Sequence, residues 1–106
     1  MSNLSIAQRS SMWRLCKKVA TSDTGSVNDA EKAVLDQIAK FLNLAPHEVN
    51  EAENSDAFLA LMTVSGIDNT SKVMLVSLLQ QVAEADGPMN FSEQEDINSI
   101  LNMIQI

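Results

Sequence analysis

The sequence predicts an all-α protein, a compact bundle of about six helices forming one domain over residues 1–106. Three observations predict it. Apolar residues recur every three or four positions almost throughout, which places them on one face of a helix, and no segment alternates with period two over a useful length. Glycine and proline fall only at the seams between these stripes, as Gly25, Pro46, Gly66, Gly87 and Pro88. Two distant stretches of the chain also carry the same order of apolar and turn residues, the signature of a repeated helix-turn-helix unit.

Taken in order, Met12, Trp13, Cys16, Val19 and Ala20 form the stripe of a first helix. Lys17 and Lys18 suit its C-terminal end, where cations meet the negative pole of the helix dipole. Val34, Leu35, Ile38, Phe41 and Leu42 form a second stripe. Pro46 fits the first turn of a short third helix reaching about Glu53, because its missing N–H is not needed there. Ser55 can cap a fourth helix from Asp56 to about Ser65, and Asp68 or Asn69 can cap a long fifth. Val73, Val76, Leu79, Val82 and Ala83 are the stripe of the fifth helix; Ile97, Ile100, Leu101 and Ile104 are that of a sixth.

Composition narrows the function. The 106 residues are 45% hydrophobic, which suits one modest core, and no run approaches the roughly 18 apolar residues of a membrane span. Membrane insertion is therefore not expected. The stretch MSNLSIAQRSS lacks the apolar centre of a secretory signal. Cys16 is the single cysteine and has no internal partner, so a reducing, cytoplasmic setting is expected. The net charge is −7 and uneven. Residues 1–18 hold four cations and no acid, whereas the rest holds three lysines against all 14 acids, giving +4 and −11. An acidic body repels phosphates, so nucleic acid is not an expected partner and another protein is. Arg9, Arg14, Lys17 and Lys18 are the candidate partner surface on the basic segment; solvated helix decoration is the simpler reading of the same residues.

The repeat is explicit in the residues. LCKKVATSDTGSVNDAE over 15–31 aligns with LLQQVAEADGPMNFSE over 78–93, with Thr24 as one extra residue in the first copy. Leu15 pairs with Leu78, Val19 with Val82, Ala20 with Ala83, Asp23 with Asp86, Gly25 with Gly87, Asn28 with Asn90 and Glu31 with Glu93. The register continues with Leu35 and Ile97, Ile38 and Ile100, Leu42 and Ile104. The repeat units cover about 12–44 and 75–106, and two such hairpins would share one core about a pseudo-twofold axis.

The acidic turn between the helices admits two readings. Asn28 and Asn90 can cap the helices that follow, with Glu31 and Glu93 three residues on closing a capping box, and the glycines supply the left-handed residue after the preceding helix. Capping leaves Asp23 and Asp86 unexplained, since an aspartate near a helix C-terminus opposes the dipole. The other reading is a divalent-cation site. Hard cations take several oxygen ligands, and Asp86, Glu93, Asp23 and Glu31 would supply carboxylates from the two turns. An EF-hand does not fit, because its first ligand position would fall on Val82 in one copy and Ala20 in the other.

VAEADGPMNFSE resembles the V-A-x-A-D-G-x-(apolar)-x-x-x-E signature of the TerB-like family, helical domains named for tellurite-resistance proteins, and VATSDTGSVNDAE is similar to its weaker first copy. The resemblance implies an all-helical fold of two related helix pairs and a metal-binding role for the motif acids, here Asp86 and Glu93, then Asp23 and Glu31. It also implies a binding module in stress-response or membrane-associated assemblies.

Other chemistry is thinly represented. His47 stands alone, with no nearby Cys or second His for zinc, and Cys16 lies in an apolar stripe. There is no Ser-centred elbow, P-loop or dinucleotide fingerprint. Six methionines and Trp13 suit core filling or a soft docking surface. The expectation is a non-catalytic TerB-like binding module whose one candidate cofactor is a divalent cation. The alternative is a metal-free interaction or scaffold domain that can form homo-oligomers.

Overall fold

Each helix begins where a side chain accepts an orphan amide of its first turn or a proline removes one. The computed structural model describes residues 4–22 and 27–104 and contains six helices and, among the described residues, no strand. They are α1 (Ile6–Ala20), α2 (Asp29–Phe41), α3 (Pro46–Glu53), α4 (Ala57–Ser65), α5 (Asn69–Ala83) and α6 (Phe91–Ile104). Ser5 and Gln8 form a capping box at α1. Asn28 and Glu31 form one at α2, and Asn90 and Glu93 exchange the same pair of bonds at α6. Pro46 opens α3, where Glu48 accepts the Ala45 amide at 2.7 Å. Asp68 caps α5.

One cap differs from expectation. Asp56, not Ser55, caps α4, its carboxylate accepting the Phe58 amide at 2.9 Å. The Ser55 hydroxyl instead donates to the Ala52 carbonyl at the end of α3, at 2.6 Å. Helix ends differ too. Asn43, at φ 56°, supplies the left-handed residue after α2, and the Leu44 amide returns to the Ala39 carbonyl at 2.9 Å. After α5, the Ala85 amide tightens onto the Val82 carbonyl, and Gly87, at φ +140°, comes three residues past the C-cap Glu84. Gly87 therefore shapes the chain reversal rather than closing the helix, whereas its counterpart Gly25 lies outside the described residues.

The core is one continuous cluster around α1, which touches all five other helices. Contacts between the hairpins are reciprocal: α1 meets α6, α2 meets α5, and α1 meets α5. All six apolar aligned pairs named above, from Leu15 and Leu78 through Leu42 and Ile104, are buried. The Trp13 indole donates to the Leu35 carbonyl at 3.1 Å, which fastens α1 to α2. Two stripe members face outward instead. Val73 is exposed because the buried face of α5 runs through Lys72, Leu75, Leu79 and Val82, one position over. Phe41 is half out of the core and, with Met74 and Leu78, lines a shallow groove between α2 and α5. The Cα radius of gyration, 12.4 Å, is that of a single domain of this length. No helix is long and apolar enough to cross a membrane among the described residues.

Candidate functional site

The two acidic turns meet. Asn28 Oδ1 accepts the Glu31 amide at 2.8 Å, and its Nδ2 donates to the Asp86 carboxylate at 2.5 Å, 58 residues away in sequence. Asp86 thus leaves the negative end of its own helix and sits at the N-terminus of α2, the positive end of another dipole. The aspartate that local chemistry leaves unexplained is explained across the repeat. Asp23 lies outside the described residues.

Glu31 and Glu93 are 5% and 4% exposed, unusual for carboxylates. Each accepts its own N-cap amide through Oε1, from Asn28 and Asn90 respectively, at 3.1 Å in both copies. The donor chemistry of Asp86, Glu31 and Glu93 is the oxygen set a hard cation takes. Among the described residues, no three such side chains gather into a group able to hold a metal ion.

The basic segment is spent largely inside the fold. Arg9 donates to the Leu42 and Asn43 carbonyls at 2.8 and 3.1 Å, closing the C-terminus of α2. Its counterpart in the second repeat is Lys72, buried, whose ammonium donates to the Ile104 carbonyl of α6 at 2.7 Å. The repeat therefore begins before residue 12: Ser5 and Asp68 cap the first helices, and Arg9 and Lys72 close the second ones. Arg14 donates to the Ser55 carbonyl in the connection between α3 and α4 at 2.9 Å, and Lys17 pairs with Glu53 at 3.0 Å. Lys18 is exposed beside α4 and α6. Cys16 is fully buried, and burial pushes its thiol well above the usual range, away from the reactive thiolate. His47 is on the surface.

A surface that the periodicity did not reveal lies on α4. Phe58, Leu59 and Met62 are 58%, 59% and 56% exposed and adjoin one another at helical spacing. They follow from AFLALMTVS, a nine-residue helix without a charged side chain. A short helix on the outside of a bundle buries one face, here Ala60 and Val64, so a helix whose only polar side chains are Thr63 and Ser65 must show apolar ones to water. Phe58 also lines a groove of about 240 Å³ between α4 and α6, with Leu61, Ile100 and Met103 as its apolar walls. The signal was present as a helix with no charged residue.

Comparison with known proteins bears on the fold. No family model matches the chain, and no curated protein matches it. The crystal structure of a protein of unknown function from Porphyromonas gingivalis shares the fold at a TM-score of 0.78 and 18% identity, over 97% of this chain and 86% of that one. The chain is thus an all-α bundle of six helices with a structural relative.

Proposed function

We propose that this chain is a non-catalytic binding domain that docks a protein partner on α4. The observation that carries the reading is the run of Phe58, Leu59 and Met62, a contiguous exposed apolar face on a helix with no charge. The motif acids support it by accounting for themselves as architecture: Glu31 and Glu93 close capping boxes, and Asp86 orients the α2 cap. The buried lone thiol suits a reducing cytosol, and the TerB-like resemblance would put such a module in stress-response or membrane-associated assemblies. The test compares wild type with Leu59→Ser/Met62→Ser in affinity capture from the native host. A captured protein, purified and titrated, should bind wild type at least tenfold more tightly. Equal binding to both would end the reading.

A second reading keeps the divalent cation, on Asp86 and Glu31 together with Asp23 and Glu93. It is supported by the Asn28–Asp86 hydrogen bond, which draws the two turns together. Calorimetric titration of wild type and of Asp86→Asn/Glu93→Gln with calcium, magnesium, manganese and zinc decides it. Uptake by wild type that the double variant loses would support the cation; no uptake at millimolar concentration would remove it.

A further inference from the structure

The bundle carries the same groove twice, and α4 walls one copy of it. In the register of the repeat, α1 and α6 correspond to α5 and α2. Between α1 and α6 the floor is Leu15 and Ile100, with Lys18, Ser99 and Met103 on the rims. Between α5 and α2 the floor is the matching Leu78 and Ile38, with Gln81, Gln37 and Phe41 on the rims. α4 packs on α1 and α6 and gives the first groove a third wall of Ala57, Phe58 and Leu61. The second groove, of about 270 Å³, is lined among the described residues by α2 and α5 alone. Met74 stands there where α1 has Ser11, yet Phe41 is still 52% exposed, so these larger side chains do not replace the missing wall.

The walled groove shows what suits the open one: a short uncharged helix presenting two apolar side chains three residues apart. α4 carries a second such pair. Leu59 and Met62 repeat the spacing of Phe58 and Leu61 one position further round the helix, and they are 59% and 56% exposed. The charges agree with this match. No charged side chain lines the α2–α5 groove, and α4 has none. Beside the groove, Lys32 pairs with Asp36, and Lys40 on α2 offsets Glu84 after α5. Around α4, Arg14 and Lys18 of the basic α1 offset Asp56 and Asp96, and Lys17 is paired with Glu53. Chains of net charge −7 repel one another, so two copies meet at least cost where both surfaces are neutral.

We infer that the outer face of α4, through Leu59 and Met62, packs into the α2–α5 groove of a second copy of this chain. α4 then stands between two equivalent grooves, its own and a neighbour's. The inference rests on the docking function proposed for α4 and goes further by naming the partner and the surface that receives the helix. A contact of one short helix face is small, which makes it a transient one.

Sedimentation of the full chain from about 10 μM to about 1 mM, the range in which small contacts act, tests it. The α4 variant is Leu59→Ser/Met62→Ser and the groove variant is Phe41→Ser/Gln81→Lys; all four side chains are exposed, which spares the core. The added lysine lowers the net negative charge, so a lost association cannot come from added repulsion. Wild type should self-associate, and more strongly as salt screens the like net charges. Each variant alone should associate at least tenfold more weakly. An equimolar mixture should associate again, because α4 of the groove variant meets an intact groove on the α4 variant, and that recovery shows both to be folded. A wild type that stays monomeric overturns the inference, as does a mixture of folded variants that stays monomeric. A groove variant that associates as wild type does would overturn it in favour of α4 pairing with α4, and weakening by salt would overturn it in favour of ion pairs. The capture experiment stands apart from these arms: another protein held through Leu59 and Met62 by a chain that stays monomeric would keep α4 as a docking face and end the second copy.

Discussion

The two hairpins and the segment between them are built on different terms. In α1–α2 and α5–α6 the same positions do the same work: buried pairs match, N-caps match to a tenth of an ångström, and a cation from the first helix closes the second. The intervening α3–α4 segment has no counterpart. It is also where apolar side chains face water in a run. The duplicated part closes its own helix ends and exposes apolar side chains one at a time, Phe41, Val73 and Phe91 among them, whereas α4 exposes three side by side. On the proposed reading, the hairpins are the frame and α4 the docking surface.

The largest expected effect breaks the frame. Leu79→Ala or Ile100→Ala, one from each helix of the second hairpin, should each cost roughly 2–5 kcal/mol in urea denaturation, since both are buried in the shared cluster. Leu59→Ala on α4 should change stability by about 0.5 kcal/mol or less, because the residue is mostly in water. Losses below half a kcal/mol for both core variants would dissolve the shared core.

Much of that frame was legible because its signals are local. The Asn-x-x-Glu boxes, Pro46 and the apolar stripes each act within a few residues, and they appear where expected. What was not legible acts over distance. The role of Asp86 needs Asn28, far off in the sequence, and the roles of Arg9 and Lys72 need the ends of helices that begin about 20 residues later. Phe41 and Val73 were assigned to the core by spacing, which ranks the faces of a helix but does not say how many neighbours cover them. The α4 surface escaped for the same reason.

A smaller effect sharpens the likeness of the hairpins. Asn90→Ala should cost about 1 kcal/mol for the lost cap, and Asn28→Ala more, because it also removes the hydrogen bond to Asp86, when compared by thermal melts. Glu31→Gln should cost less than either, because glutamine can still close the box. Equal losses for the two asparagine variants would show that the Asn28–Asp86 hydrogen bond adds nothing to the cap.

The smallest effect separates the hairpins at their first caps, where Ser5 in one corresponds to Asp68 in the other. The Ser71 hydroxyl and amide both donate to Asp68, at 2.7 and 3.1 Å, and hold its carboxyl below the usual range. A depressed folded value means that its contribution is complete above the unfolded value, about pH 4, and is lost as the pH falls through the folded one. Amide exchange in the first turn of α5 should therefore quicken under acid more than in the first turn of α1, once corrected for intrinsic rates. Asp68→Asn should remove the difference. Equal acid responses in the wild type would show that the Asp68 charge adds nothing to the cap.

The position of α1 at the hub carries a consequence for how the protein is made. Its five contacting helices all follow it in the chain, so it leaves the ribosome before any of them. At roughly 5–20 residues per second, the stretch between Ala20 and Ile104 takes on the order of 4–17 s to appear. For that interval the nascent chain carries Met12, Trp13, Leu15 and Val19 with no finished core to receive them. The thiol of Cys16, buried in the finished fold, is open to reagents for as long as that core is unformed.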